Sequence, residues 1–159
     1  HLDSTLVEEY HALVSSTFQR QNLAMPHPIE AYSALSRYLG ENGNVMFISA
    51  RKDGTLVSGG VFLIDRHRMV FHSGSSTKLG YDLAASSLVQ WTAINEGHSR
   101  GLTGYDLGGI GVDSIDKFKQ SFGGTPIQHH RSVYTSNFLK RGTRFAHWLA
   151  SRGLIRVFS

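Results

Sequence analysis

Apolar residues recur over the first forty positions at the spacing of a helix face. Leu6, Tyr10, Leu13, Val14 and Phe18 form one stripe behind Asp3 and Ser4, either of which can cap a first turn, so a helix is predicted over residues 3–20. After the break from Pro26 to Pro28, Ile29, Tyr32, Leu35 and Leu39 mark a second helix that stops near Gly40. The period then changes. Asn44 to Arg51 reads as a strand, Asp53-Gly54 as a two-residue hairpin turn, and Thr55 to Ile64 as the antiparallel partner. Asp65 to His67 turns the chain into a third strand, Arg68 to Ser73, which ends in the polar run Ser73-Gly74-Ser75-Ser76-Thr77-Lys78.

Helical spacing returns from Tyr81 to Gly97. Leu83, Ala84, Leu88, Trp91, Thr92 and Asn95 fall on recurring faces, with small Ala and Ser residues between them that permit close packing on a sheet. Gly101 closes this central helix, and Leu102 to Leu107 supplies a short strand. Asp113 or Ser114 opens a helix through Phe122, Pro126 to Thr135 forms a last strand, and Asn137 caps a terminal helix. A meander of strands, a helical crossover and two further strands make an α/β fold whose central sheet is of mixed direction and flanked by helices.

Composition narrows the class. The 159 residues are 40% hydrophobic with 17 glycines and only 3 prolines, which fits one globular domain over residues 1–159 with many tight turns and no rigid linker. No apolar run approaches the length of a bilayer span, so a soluble, cytoplasmic protein is expected. Without a single cysteine, disulfides, thiolate nucleophiles and Cys-ligated metals are excluded within this sequence. The net charge of +4 hides an asymmetry: residues 1–116 hold 8 Lys/Arg against 12 Asp/Glu, whereas residues 117–159 hold 8 Lys/Arg and no acid. A field of that sign attracts phosphates, nucleic acid or an anionic membrane surface.

Three places could carry chemistry. At the exit of the third strand, Ser75, Ser76, Lys78 and Gly80 precede a helix, where free backbone N–H groups, the helix dipole and a lysine can hold a phosphate or a developing oxyanion. The alternative is a turn that is Ser- and Gly-rich merely in order to turn. In Tyr105-Asp106-Leu107-Gly108-Gly109-Ile110 an acid and two glycines stand where a strand leaves the sheet, the usual docking end of α/β sheets. Asp106 could position a donor or a hydroxyl there, or bond local backbone. In Asp116-Lys117-Phe118-Lys119-Gln120-Ser121-Phe122-Gly123-Gly124, Phe118 and Phe122 share a face and are expected to be buried, while Lys119 lies on another face and could reach a cleft.

The second and third of these motifs, Tyr105–Gly109 and Phe118–Gly124, resemble the end of the FemAB-like transferases of the GNAT superfamily. In that group a Tyr-Asp-aromatic/Leu-Gly-Gly strand precedes a Phe-Lys-x-x-Phe-Gly helix. The upstream hairpin, the Gly-Ser-Ser strand exit and the Ala/Ser-rich helix containing Trp91 look like the same domain, so the resemblance spans roughly residues 30–135. It implies a GNAT-like acyl-CoA N-acyltransferase fold and transfer of an acyl or aminoacyl group to an amine of a small molecule or cell-wall precursor. The donor implied is acyl-CoA or aminoacyl-tRNA. The turn that reads Gln/Arg-x-x-Gly-x-Gly/Ala in acetyl-CoA-binding members is Ser76-Thr77-Lys78-Leu79-Gly80-Tyr81 here, which leaves both donors open. Because FemAB-like enzymes hold two such domains, the resemblance also implies that these residues could be the C-terminal half of a two-domain protein.

By the same resemblance Lys119 stabilises the reacting carbonyl or a substrate phosphate; Asp106 or Tyr105 is expected to orient the amine. Ser75, Ser76, Lys78, Gly80, Gly108, Gly109, Phe118 and Arg131 are the expected substrate contacts. With no cysteine to acylate, attack by the amine on the ester or thioester is expected to be direct. A second reading is a non-catalytic module that docks tRNA or an anionic membrane through residues 137–156, where Lys140, Arg141, Arg144, Arg152 and Arg156 lie near Phe138, Phe145 and Trp148. Metal chemistry is not expected, since His129 and His130 would point to opposite faces of a strand. His72 and His147 have no acid partner in sequence and read as surface or partly buried residues.

Overall fold

The computed structural model describes residues 4–128, and the chain divides into two compact units, His1–Gly124 and Thr125–Ser159. Of the second unit only residues 125–128 are described, and they lie in no helix or strand. The expected last strand at 126–135 otherwise falls outside the described residues, as do Arg131, the helix capped by Asn137 and the basic segment 137–156.

The first unit begins with two helices, α1 (Ser4–Arg20) and α2 (Ile29–Gly40). A meander follows: β1 (Val45–Lys52), β2 (Thr55–Ile64) and β3 (Arg68–Ser76). Then come α3 (Lys78–Asp82), α4 (Ala85–Ser99), β4 (Gly104–Asp106) and α5 (Asp113–Gln120). The sheet has the order β1-β2-β3-β4, antiparallel except for the parallel pair β3–β4. This is the mixed α/β sheet that the hydrophobic pattern predicts.

The β1–β2 hairpin turns where the sequence places it. Asp53 and Gly54 have φ of 51° and 78°, the two left-handed angles that match the twist of a two-residue hairpin. Each face of the sheet carries its own core. On one face Val7, Tyr10 and Val14 of α1 and Tyr32 of α2 pack against Val45, Phe47 and Val61. On the other, Val89 and Ala93 of α4 pack against Phe62 and Met69, both fully buried, each contributing about 1.5–3 kcal/mol. No helix among the described residues is long and apolar enough to cross a membrane.

Two elements depart from the sequence pattern. The third strand does not stop at Ser73 but continues to Ser76, because Gly74, Ser75 and Ser76 still pair with Gly60, Gly59 and Ser58 of β2. The single helix expected from Tyr81 to Gly97 is two helices, broken at Ala84, whose φ of 51° costs a non-glycine residue about 1–2 kcal/mol. The break seats α3 tightly on the sheet: a Cβ built on Gly80 would lie 2.2 Å from the Val57 carbonyl oxygen. It also turns α4 so that Ala85, Val89, Gln90, Ala93 and Gly97 are buried, while Leu88 and Trp91 stay exposed.

Gly80→Ala is therefore expected to destabilise the protein by about 1–3 kcal/mol in urea denaturation, the cost of forcing a methyl against fixed backbone. Gly109→Ala, whose Cβ would meet nothing within 4 Å, is the matched control and is expected to change stability by under about 0.5 kcal/mol.

Candidate active site at the opening between β3 and β4

β4 pairs with β3 for only three residues, Arg68 with Gly104, Met69 with Tyr105 and Val70 with Asp106. The strand expected over residues 102–107 is shorter because Thr103 and Gly104 both donate to the His67 carbonyl, so pairing starts late. β3 then runs on for six more residues to Ser76 with β2 on one side and no described strand on the other. Backbone donors and acceptors that lack a strand partner must be met by water or a ligand. The result is an opening flanked by β3 on one arm and by the exit of β4 on the other.

The β4 arm gathers the residues that the sequence singles out. Asp106 is exposed and accepts from the Gly108 N–H at 2.7 Å, closing a tight turn for which Gly108 supplies a φ of 78°. A Cβ on Gly108 would lie 3.4 Å from the Phe71 carbonyl oxygen and 3.8 Å from Lys119 Nζ, so this glycine marks where the β4 exit touches β3. Lys119 reaches back from α5 and donates to the Gly109 carbonyl. An ammonium has three N–H donors, so two of them are left for a ligand. Asp116 accepts from the Gly111 N–H at 3.0 Å and fixes the rest of the glycine loop. Phe118 and Phe122 do share a face, with ring centroids 5.2 Å apart, but each is only half-buried, since α5 fully buries none of its residues.

Tyr105 turns away from this arm. Its ring packs near Phe62, 6.4 Å between centroids, and its hydroxyl donates to the Gln90 side chain. Burial holds its phenol above the ordinary tyrosine range. Gln90, a buried polar residue of α4, is thus what orients Tyr105, and nothing in the sequence pattern marks it.

On the β3 arm several expected ligand contacts face inward. The Ser75 hydroxyl is buried and bonds to Thr17 of α1 at 2.7 Å, and that of Ser76 bonds to Ser58 of β2 at 2.7 Å. Gly80 is buried against Val57, and its N–H is taken by the capping hydroxyl of Thr77. These three hold the turn together rather than present groups to the opening. Lys78 is exposed beside them and pairs with Asp82 at 3.3 Å, one turn along α3.

Sequence reasoning gives His72 no role. The structure places it in the free half of β3, exposed, with its ring stacked against that of His27 from the α1–α2 connection. Contact between residues 45 positions apart leaves no mark in local spacing. A depression lined by Ile29, Glu30, Ser33, Ala34, Arg37 and Tyr38 lies wholly on α2 and includes none of the predicted site residues.

Comparison with known proteins agrees with this architecture. A family model described as acetyltransferase (GNAT) domain matches residues 1–120. No curated protein matches the sequence. Among solved structures, a ribosomal-protein-alanine N-acetyltransferase from Brucella melitensis biovar Abortus 2308 is similar with a TM-score of 0.63 at 14% identity, over 85% of this chain and 96% of that one. A glucosamine-6-phosphate N-acetyltransferase from Arabidopsis thaliana gives 0.63 at 12%, over 85% and 95%. An aminoglycoside N-acetyltransferase bound to a bisubstrate analogue of coenzyme A and acetylneamine gives 0.62 at 13%, over 84% and 92%. At these identities the likeness is one of fold.

The buried phenols give a test of the geometry. Tyr10, Tyr32 and Tyr105 all ionise above the ordinary range, chiefly through burial. Unfolded tyrosines lose their protons first as pH rises past about 10, so folding stability is expected to fall above that pH. Tyr105→Phe, which strands the Gln90 acceptor, is expected to cost about 1–3 kcal/mol and to remove one late-titrating phenolate from the ultraviolet absorbance titration.

Proposed function

Because the chain belongs to the GNAT acetyltransferase family, we propose that it transfers an acyl group from a coenzyme A thioester to an amine at the opening between β3 and β4. The observation that carries this reading is the end of β3–β4 pairing beside the loop to which Lys119 is fixed. An unpaired strand edge suits a donor whose arm bears amides, because backbone groups on the edge can exchange hydrogen bonds with it as a further strand would. Held there, the thioester carbonyl would meet an attacking amine without a bimolecular search, and proximity of that kind is worth several kcal/mol of barrier.

In this reading the residues of the two arms divide the work. Lys119, with two N–H donors unspent, stabilises negative charge on the carbonyl oxygen or a donor phosphate. Asp106, exposed at the end of β4, attracts and orients the amine. Tyr105 acts at one remove: its bond to Gln90 sets the position of β4 from the α4 side. Lys78 is placed at the β3–α3 turn to meet donor phosphates. Attack is direct, since no cysteine is present to form an acyl-enzyme.

The pairing of Tyr105–Gly109 with Phe118–Gly124 supports a place near the FemAB-like branch, where the donor is aminoacyl-tRNA and the acceptor a cell-wall precursor. The neighbours named above include enzymes of aminoglycosides and of glucosamine-6-phosphate, which supports a small-molecule amine instead. Side-by-side assays with acetyl-CoA and with aminoacyl-tRNA, each offered to a panel of amines, separate the two. We expect thiol release from acetyl-CoA that depends on an amine. Lys119→Ala is expected to lower kcat/KM by about 100-fold, and Asp106→Asn to raise the KM for the amine. Near-normal kinetics in both variants would remove these residues from the site.

A further inference from the structure

The free half of β3 contains a bulge, and its extra residue is His72. Val61 of β2 pairs with Ser73 and Phe62 pairs with Phe71, which leaves His72 opposite nothing. A bulge re-aims side chains, here so that two consecutive residues meet elements on the same face of the sheet. Ser73 bonds to the Tyr10 hydroxyl of α1 at 3.0 Å. His72 meets His27, ring centroids 6.3 Å apart and planes 21° apart. His27 in turn contacts the buried Tyr32 at 6.3 Å, so a row of rings runs from the core to an exposed imidazole two residues beyond the last β3–β4 pair.

This position beside the opening gives a titratable group to a reaction that must lose a proton. Resting on the acyl-transfer reading above, we propose that His72 accepts the proton released when the amine attacks the thioester, with His27 positioning its ring. The amine nitrogen bonds to the carbonyl carbon, the π pair moves to oxygen, and the N–H proton passes to the His72 imidazole. The oxyanion then collapses, the C–S bond breaks, and coenzyme A leaves as a thiolate that the imidazolium or solvent protonates. Amine and thioester become amide and thiol.

The surroundings suit a base. Partial burial, and then the neighbouring His27, hold the His72 imidazole below its ordinary pKa, a shift that favours the unprotonated acceptor. The titratable ring stacked on His72 is His27 from the α1–α2 connection, and His27 in turn contacts Tyr32 of α2, whose ring meets Tyr10 and His11 of α1. β2 brings only Val61 and Phe62 across from it. The β4 exit, which carries Asp106 and holds Lys119, meets β3 at the Phe71 carbonyl, one residue before His72. Among the described residues no three metal-capable side chains converge.

The test measures amine-dependent thiol release from acetyl-CoA across the imidazole pH range for the wild type, His72→Gln and His27→Asn, with an NMR titration of the histidine ring protons. His72→Gln is expected to keep its melting temperature and its KM for acetyl-CoA while kcat falls about 100- to 1,000-fold. His27→Asn is expected to shift both the acid limb of the rate profile and the His72 titration upward. A His72→Gln enzyme with wild-type rate and acid limb, or a His72 that titrates normally and ignores His27→Asn, overturns the assignment and leaves acyl transfer standing. A wild type that transfers to no amine in the panel overturns both.

Discussion

The site depends on one local shortage: β4 supplies hydrogen bonds to three residues of a nine-residue neighbour. A strand that, among the described residues, is left unpaired along most of one edge normally invites another strand, so something must hold β3 straight without closing the gap. β2 does part of this, pairing with β3 as far as Ser76. The rest comes from beneath, where α1 contributes the Tyr10 hydroxyl to Ser73, Thr17 to Ser75, and the Arg20 guanidinium to the Ser76 carbonyl at 3.0 Å. Bracing from one edge and one face leaves the other edge available.

That bracing explains the serine run. A buried hydroxyl with no partner costs about 1–3 kcal/mol, so a register in which Ser75 missed Thr17 or Ser76 missed Ser58 would be penalised at each position. Serines here fix the alignment of β3 against α1 and β2 more sharply than alanines would, because hydrogen bonds are directional and apolar contacts are not. Chemistry at the opening consequently falls to side chains that stay outside the network: Lys78 on one arm, Asp106 and Lys119 on the other, and His72 at the bulge.

The same logic separates what the sequence discloses from what it hides. The Asp53-Gly54 hairpin, the two leading helices and the mixed sheet are legible because turn chemistry and apolar period are local signals. Lys119 with Gly108 and Gly109 is legible for a similar reason: the groups lie within eleven residues of one another. The break at Ala84 is not, since alanine favours helix and only the close seating of Gly80 on Val57 makes a left-handed residue worth its cost. Nor are the inward turns of Ser75 and Ser76, because one extra residue in β3 shifts the alternation on which any prediction of facing rests. Gln90 and the His27–His72 stack require partners 15 and 45 residues away, beyond the reach of spacing.

The two arms are therefore built by different means, with a consequence for how they can vary. Around the β4 exit every hydrogen bond that shapes the glycine loop is short-range in sequence, from Asp106 to Gly108, Asp116 to Gly111 and Lys119 to Gly109. Such a loop carries its own geometry and can be exchanged as a block. β3, in contrast, owes its course to α1, α2 and β2 together, so a change at His72 or Ser73 is felt by Tyr10, Tyr32 and the core behind them. Charge for the donor thus sits on a self-contained motif, while the proton acceptor assigned to His72 sits on the part of the sheet that the whole fold constrains.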